Sequence, residues 1–284
     1  MCEFCLKHGE GEKWYLQAKN YSEDLLSDIR RANFIQSFAD PKKLEVELQK
    51  SSKGFENLKK LPWMIRNLYT RVITRRMKKV HFGQVVPIED IEQIFEFTNT
   101  IVRVACICRK SYLGLEKRYC YGIGLGPNGG KLRDLFEPHQ NDFSGGVNDK
   151  RFEMLTAKEA LELFRGYEHE GLCHTVWTFY TPFVGGICNC DRVDCLAMRS
   201  TMTHEVPAFF RAEYVAEIDR DLCTGCRQCM RLCQFGALMH SASLEKSFVD
   251  QRRCYGCGVC RSACPTGAIR LQDRTSSPVA ANLW

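Results

Sequence analysis

The sequence predicts an α+β protein with a helical and α/β N-terminal domain at residues 1–212 and a smaller C-terminal domain at residues 213–284. Three observations support this. Amphipathic patterns fill the front, strand and helix patterns follow one another in the middle, and one cysteine motif occurs twice near the end. At a typical size of roughly 150 residues per domain, 284 residues allow about two domains, and 44% apolar residues can form a core for each.

The front of the chain is predicted to be helical. Residues 21–39 form an amphipathic helix with Ser22 as its N-cap, and Asp40 followed by Pro41 starts a second helix that reaches about Lys50. Residues 51–57 are typical of a linker. A third helix begins at Pro62, and we expect its apolar positions to pack against the rest of the protein; these are Leu61, Ile65, Leu68, Val72 and Ile73.

The middle of the chain predicts strands and helices in turn. Pro87 opens a helix, residues 101–105 form a buried strand, and Cys120 lies in a glycine-rich stretch. A capping box at Thr156 starts a helix that reaches about Tyr167, and a strand follows Gly171. The polar segment 138–150 is expected to be a loop.

Cysteine content points to metal binding. The chain has 17 cysteines, and its N-terminus lacks the basic and apolar regions of a secretory signal, so we expect a cytoplasmic protein in which disulfides are rare. The uncharged stretch 172–188 is shorter than the roughly 20 apolar residues that cross a bilayer, so no transmembrane segment is expected. Reduced thiols at short spacings then indicate iron–sulfur or zinc chemistry.

The C-terminal motif has the spacing C-x2-C-x2-C-x3-C twice, at Cys223, Cys226, Cys229 and Cys233 and at Cys254, Cys257, Cys260 and Cys264. Each copy ends in a Gly-Ala step, which indicates an internal repeat. Three cysteines two residues apart can surround three irons of a cubic cluster, whereas a zinc knuckle needs only paired cysteines. The spacing therefore favours iron–sulfur clusters over zinc.

This segment closely resembles the bacterial-type two-cluster ferredoxins. The resemblance implies a ferredoxin-like ββα repeat and two [4Fe-4S] clusters, in which the fourth cysteine of each run ligates the other cluster. Site 1 would then comprise Cys223, Cys226, Cys229 and Cys264, and site 2 would comprise Cys254, Cys257, Cys260 and Cys233. Gln234 replaces the usual proline after Cys233, so we expect an extra contact near site 2 and two clusters of different potential.

Six further cysteines lie in two groups beside glycines and suggest a third [4Fe-4S] cluster, which we call site 3. They are Cys106, Cys108, Cys120, Cys188, Cys190 and Cys195. The C-x-C-R and I-C-N-C elements around them, within about residues 85–200, resemble iron–sulfur proteins of anaerobes. Four of the six would suffice, and Cys106, Cys120, Cys188 and Cys190 are a marginal preference. A zinc site or inert thiols are the alternatives.

The remaining cysteines carry weaker expectations. Cys2, Cys5 and His8 are one ligand short of a closed tetrahedral metal site, so surface thiols are the simpler interpretation. Cys173 lies in an apolar strand and is expected in the core. His174 is either a core histidine or a hydrogen-bond donor to site 3.

The sequence as a whole predicts an electron-transfer protein or oxidoreductase subunit that passes single electrons through two or three [4Fe-4S] clusters. It gives no catalytic residue, and whether the protein is itself an enzyme stays open. In the first alternative, site 3 binds and reduces a substrate, with His174 and Arg109 nearby. In the second, the protein is a structural or activating subunit of a redox complex.

The basic helix provides the candidate surface for a redox protein or for other subunits of an oxidoreductase complex. No acidic residue occurs between Asn57 and Ile88, and the docking candidates are Arg66, Arg71, Arg75, Arg76, Lys78 and Lys79. A solvated face is the simpler alternative. The formal charge of +6 would fall to about +2 with two clusters and to about zero with three, so nucleic acid is not expected as a partner.

Overall fold

The structure is a computed structural model that describes residues 12–115, 117–136 and 153–283. It has the predicted α+β class: a helical front, a mixed sheet with helices, and a small C-terminal module. The expected loop at 138–150 and the residues Cys2, Cys5 and His8 lie outside the described residues. Within the described ranges, no helix has the length and apolar character needed to cross a membrane.

The helical front differs from the prediction in two places. Ser22 caps a 3-10 turn at Glu23–Ser27 through a bond from the Asp24 amide, and Asp28 caps the first α-helix, α1 at Ile29–Ala39. The helix predicted for residues 21–39 is therefore divided, because the backbone of Asp28 is extended.

The second difference is the linker predicted at 51–57, which is wrong because α2 runs without a break over Pro41–Lys59. This segment contains no proline. Its single glycine, Gly54, costs a helix only about 1 kcal/mol.

The basic helix α3, at Trp63–Val80, begins at Pro62 as predicted. The expectation that its apolar positions pack is wrong for four of the five, which are exposed, whereas Ile73 is half-buried; the exposed positions are Leu61, Ile65, Leu68 and Val72. Leu68 and Val72 remain 63% and 57% exposed. This helix presents apolar and basic side chains together at the surface.

A seven-stranded sheet forms the centre of the N-terminal part, in the order β4-β2-β3-β6-β5-β1-β7. All neighbouring strands are antiparallel except β1 and β7. The strands are β1 Gly83–Val85, β2 Thr100–Val104, β3 Cys120–Gly124, β4 Glu153–Met154, β5 Cys173–Thr178, β6 Val184–Cys190 and β7 Phe209–Phe210.

Helices cover both faces of this sheet. On one face, Ile91, Ile94 and Phe164 pack with Tyr121 and Ile187 of the strands. The predicted capping box at Thr156 is present with both of its hydrogen bonds. The helices are α4 Ile88–Phe97, α5 Ile107–Leu113, α6 Gly130–Phe136, α7 Ala157–His169 and α8 Leu196–Thr203.

The C-terminal module consists of two antiparallel strand pairs and two short helical segments. Strand β8 pairs with β11, and β9 with β10. Arg274 holds the tail in place by donating to the carbonyls of Ala280 and Ala281 at 3.3 and 3.0 Å. The elements are β8 Tyr214–Ile218, α9 Gln228–Leu232, β9 Leu238–Ser241, β10 Lys246–Val249, a 3-10 turn at Val259–Ala263 and β11 Ile269–Asp273.

The module packs closely against the N-terminal part. The Arg261 guanidinium pairs with Glu89 of α4, and the Ser262 hydroxyl donates to the carbonyl of Glu168 on α7 at 3.1 Å. Phe209 meets the rings of Phe235 and Tyr255. These contacts keep the two cysteine-rich regions side by side, while the boundary at 212/213 stays a prediction.

Candidate metal centres

Strand alternation gathers the cysteines of site 3 on one face of the sheet. Side chains of alternate strand residues point the same way, so Cys188 and Cys190 share a face of β6 while Ile187 points into the opposite core. In the strand register, Cys120 lies opposite Cys188. Cys188 and Cys190 both lie within this strand, and Cys190 is its last residue.

Chain turns at two helix starts supply the other cysteines of this group. Cys106 caps α5, which carries Cys108 in its first turn, and Cys195 caps α8. All six predicted cysteines line one cavity of about 200 Å³. Which of them would bind a cluster stays a prediction.

Arg109 is the main charged group of this cavity. Its side chain is 2% exposed, donates to the Cys106 Sγ at 3.3 Å, and pairs with both Asp191 and Asp194. Burial alone would lower the pKa of Arg109. The Cys106 and Cys195 sulfurs and the hydrogen bond to Asp194 raise that pKa by more, so the guanidinium stays protonated. The two aspartates were missed by the sequence reasoning, although both lie between Cys190 and Cys195.

The cavity also polarises individual thiols. The Tyr119 amide donates to the Cys106 Sγ at 3.0 Å. A hydrogen bond from Cys190 lowers the pKa of Cys195, with help from Arg109 and against burial. Burial is the main reason why the pKa of Cys108 rises to about 12. Site 3 therefore offers fixed positive charge and N–H donors to sulfur, which favour bound thiolate.

His174 and Cys173 do not line this cavity. The buried His174 bonds through Nδ1 to Asn189 Oδ1 at 2.6 Å, and burial lowers its pKa to about 4. It packs on the ring of Phe164, on the face away from the cysteines. This favours the core interpretation of His174 and leaves only Arg109 of the two residues considered for a substrate-binding site.

The two repeat sites are smaller. One cavity of about 20 Å³ is lined by Cys223, Cys226, Cys229 and Cys264, and another of about 20 Å³ by Cys233, Cys254, Cys257 and Cys260. Each group combines three cysteines of one run with the fourth cysteine of the other. These are the two sets that the ferredoxin resemblance implies, and ligation by them remains a prediction.

Glycines and backbone amides shape both repeat sites in the same way. Gly225 and Gly256 have φ of +68° and +72°, and an added Cβ would lie 2.0 and 2.1 Å from a carbonyl oxygen. The Ala237 and Ala268 amides donate to the Sγ of Cys233 and Cys264 at 3.2 and 3.3 Å. The Gly-Ala step of each repeat thus has a structural reason, since it turns an N–H toward the last cysteine.

Gln234 makes the contact that distinguishes the second site. Its Nε2 donates to the carbonyl of Gly171 at 2.8 Å, and its Oε1 accepts from the amide of Arg192 at 3.0 Å. Gly171 lies just before β5, and Arg192 lies between Asp191 and Asp194. Gln234 therefore ties site 2 to the loop that supports site 3.

The docking candidates of α3 differ in their surroundings. Arg66 pairs with Glu205 at 3.4 Å, and the Lys78 Nζ lies 4.6 Å from the ring centre of Phe210. Four others are exposed on the helix: Arg71, Arg75, Arg76 and Lys79.

All three sites suit a cluster with thiolate ligands. Each has at least four sulfurs facing one space, and an amide donates to a sulfur in each; these amides belong to Ala268 at site 1, Ala237 at site 2 and Tyr119 at site 3. Within residues 12–115, 117–136 and 153–283, no three or more His, Cys, Asp or Glu side chains are placed to hold a single metal ion.

Comparison with known families identifies the type of domain in the C-terminal part. Residues 216–271 match the family model of the 4Fe-4S dicluster domain. No curated protein matches the chain. The C-terminal part is therefore a ferredoxin-type dicluster domain with an iron–sulfur electron-transfer role.

Proposed function

We propose that this protein carries single electrons between redox proteins with three [4Fe-4S] clusters, bound at sites 1, 2 and 3. The observation that supports this most is the presence of three separate cavities, each lined by at least four cysteine sulfurs. A bound cubic cluster supplies one-electron chemistry with little rearrangement of its surroundings. The protein's part is to hold, shield and tune that group.

The residues around site 3 perform this task with charge. A cubic cluster with four thiolates carries about −2, which a dry pocket tolerates poorly without a partner. The Arg109 guanidinium supplies that partner, and Asp191 and Asp194 fix its position. At sites 1 and 2, backbone amides such as those of Ala268 and Ala237 donate to the sulfurs instead.

Iron and acid-labile sulfide counts on anaerobically purified protein test the number of clusters. We expect about 12 Fe per chain, and about 8 Fe would leave only the two ferredoxin-type clusters. Cys188→Ser should remove about one third of the iron. Cys173→Ser, at a cysteine on the same sheet that lines none of the cavities, should keep the wild-type count. Unchanged iron in Cys188→Ser would contradict the third cluster.

For the partner, we propose that α3 docks an acidic redox protein. The helix has no acidic residue, and it exposes apolar positions such as Leu68 beside Arg71 and Arg75. Apolar contact and complementary charge are the two components of a transient protein interface. The C-terminal turn of α3 also lies near site 3, because Met77 packs on the core cluster that contains Cys190 and Cys195.

Reduction by an acidic flavodoxin can test this docking surface. The double variant Arg71→Glu/Arg75→Glu should slow the association rate about tenfold at low salt, and the difference should shrink as salt rises. Arg30→Glu/Lys42→Glu, which changes two exposed residues elsewhere on the helical front, should leave the rate near wild type. Equal slowing by both pairs would point to net charge and rule out a specific surface.

The cavity volume supports one further candidate function, in which site 3 also binds a small uncharged substrate. Its cavity of about 200 Å³ is roughly ten times larger than those of sites 1 and 2. Beyond the cysteines it is lined by aromatic rings, including Trp177 and Phe179 beside His81. Burial lowers the pKa of His81 to about 4, so this wall is neutral at pH 7.

Indole is a suitable probe for this pocket. It should perturb the EPR spectrum of the reduced site 3 cluster, and Val102→Phe, which fills the cavity wall, should abolish the change without loss of iron. A spectrum that indole does not alter would exclude this candidate and leave electron transfer as the function.

A further inference from the structure

The cavity of site 3 has more room than a cluster needs. It measures about 200 Å³, whereas the cavities of sites 1 and 2 measure about 20 Å³ each, although the same kind of cluster is proposed for all three. A cluster at site 3 would therefore leave more than the roughly 150 Å³ in which an engineered apolar cavity holds benzene. The remaining space is large enough for a small molecule beside the cluster.

One row of the sheet, perpendicular to its strands, forms the floor of this space. Its five residues face one another in the strand register and all line the cavity; in order they are Met154, Val102, Gly122, Gly186 and Trp177. The two central positions have no side chain, and a Cβ added to Gly122 would meet no atom of the described residues within 4 Å. Neighbouring strands lie about 4.8 Å apart, so about 14 Å separate the backbones of Val102 and Trp177. We call the open space over Gly122 and Gly186 the glycine slot.

Helices and aromatic rings close the glycine slot opposite the sheet and at one end. Phe38 of α1, Ile107 of α5 and Leu132 of α6 line the cavity from the helices. At the end of the row, the ring centre of Trp177 lies 4.9 Å from that of His81. A gap between a sheet without side chains and a layer of apolar side chains has the shape of a planar ring, and the aromatic wall offers such a ring favourable contacts.

The charges around the cavity favour an uncharged molecule. None of the described residues that line it is acidic, so a cation would find no carboxylate there. Arg109 is paired with Asp191 and Asp194, and the exposed Arg133 donates to the carbonyl of Asn128 at 3.4 Å. An anion would also lie beside a cluster that carries about −2. Because burial of a charge without a partner is costly, neutral aromatic molecules are the ligand class that fits.

We propose that the glycine slot binds a planar, uncharged aromatic molecule, and that Gly122 and Gly186 determine this specificity because a side chain at either position would fill the slot. The inference rests on the substrate role proposed above for site 3. Cys120 and Cys188 form the next register pair on the same face of the sheet, about 7 Å along the strands. A ring over the two glycines therefore lies next to these two cysteines of site 3.

Anaerobic calorimetry of the protein as purified, with indole as the probe, tests the role of Gly122. Gly122→Val places a side chain in the slot, and a β-branched residue suits a strand, so stability and iron content should stay at the wild-type level. We expect indole to bind at least about tenfold more weakly to this variant, because overpacking a filled site costs more than about 1 kcal/mol. Equal affinity of Gly122→Val and wild type for indole would overturn the inference.

Gly124→Val is the matched control. Gly124 lies two residues further along β3, on the same face and with equally open space for a Cβ, but it does not line the cavity. This variant should bind indole as the wild type does. Equal weakening by both variants would assign the effect to the strand and overturn the role of the slot.

A second ligand tests the preference for a flat molecule. The compact and uncharged 1-adamantanol should bind at least about tenfold more weakly than indole to the wild type, because it is too thick for the gap between sheet and helices. Affinity equal to that of indole would contradict a planar slot.

Iron analysis separates this inference from the proposed function. About 12 Fe per chain without measurable indole binding would overturn the glycine slot and keep the third cluster. About 8 Fe, with indole binding that Gly122→Val weakens, would keep the slot as a ligand site and overturn the third cluster.

Discussion

The two cysteine-rich regions of this protein hold their thiols in different ways. In the dicluster domain, each of the two repeats has one loop that places three cysteines within seven residues. A glycine with positive φ allows the tight turn of each loop. At site 3 the cysteines come from two neighbouring strands and two helix starts that are up to 89 residues apart, between Cys106 and Cys195. The first kind of site depends on loop conformation, and the second on a complete sheet.

The two regions also differ in how they balance charge. Backbone amides donate to sulfur in the dicluster domain, as the Ala237 and Ala268 amides do. Site 3 adds a buried guanidinium held by two carboxylates. Substitution of a charged side chain should therefore lower cluster occupancy most at site 3. A substitution that distorts the backbone should lower it most at sites 1 and 2.

The largest effect is expected from Arg109→Leu. It leaves Asp191 and Asp194 without their main buried partner, which typically costs about 3–5 kcal/mol. We expect loss of the site 3 iron and a lower temperature of unfolding. Arg165→Leu, which breaks an exposed pair with Glu92, should change the stability by less than about 1 kcal/mol. Retention of all iron in Arg109→Leu would contradict a charge-supported site 3.

The next effect concerns backbone geometry in the dicluster domain. In Gly256→Ala the new Cβ would meet the Tyr214 carbonyl at 2.1 Å, so the loop must move, at a cost of about 3 kcal/mol. The matched control is Gly267→Ala, which has a similar φ of +65° but open space around the new Cβ. Iron analysis should show loss at site 2 in Gly256→Ala only. Equal losses in both variants would assign the effect to φ alone.

A smaller effect is expected where the two regions meet. Burial raises the pKa of Glu168 to about 7, although Arg261 acts in the opposite direction. The folded-state pKa lies above the unfolded value, so the wild type loses stability as pH rises from about 4.5 to 7. Glu168→Gln should therefore be more stable than wild type at pH 8, by up to about 3 kcal/mol, and less so at pH 5. Thermal unfolding at matched scan rates measures this, and a pH-independent difference would contradict it.

The smallest effect is expected from Arg261→Met. This change removes the ion pair with Glu89 that joins the 3-10 turn to α4, but Glu89 is about half exposed, so the cost should be within about 1 kcal/mol. Iron content should stay at the wild-type level. A large loss of iron would mean that the contact between the two regions, and not the local loops, holds the dicluster domain together.

Local patterns predicted much of this molecule. The capping box at Thr156 and the helix start at Pro62 were both predictable, because each depends on residues within a few positions. The resemblance to two-cluster ferredoxins implied the two four-cysteine groups that the structure brings together. The prediction of a linker at 51–57 was wrong, because polar residues are compatible with both a linker and a solvated helix.

Other features needed the tertiary structure. The sequence showed six cysteines that could form site 3, but strand pairing of β3 with β6 decided that they share one cavity. The hydrogen bond from Gln234 to the carbonyl of Gly171, 63 positions earlier in the chain, has no local signature. The exposed apolar face of α3 also has none, because an amphipathic pattern does not tell whether a partner segment exists in the same chain.

By itself, the sequence determined the chemistry of the dicluster domain, because a loop that wraps a cubic cluster is short enough to be written in consecutive residues. Only the tertiary structure decided the third cavity and the burial of Arg109 beside it. These depend on register between distant strands, which is set by the packing of whole faces of the sheet and by no single motif.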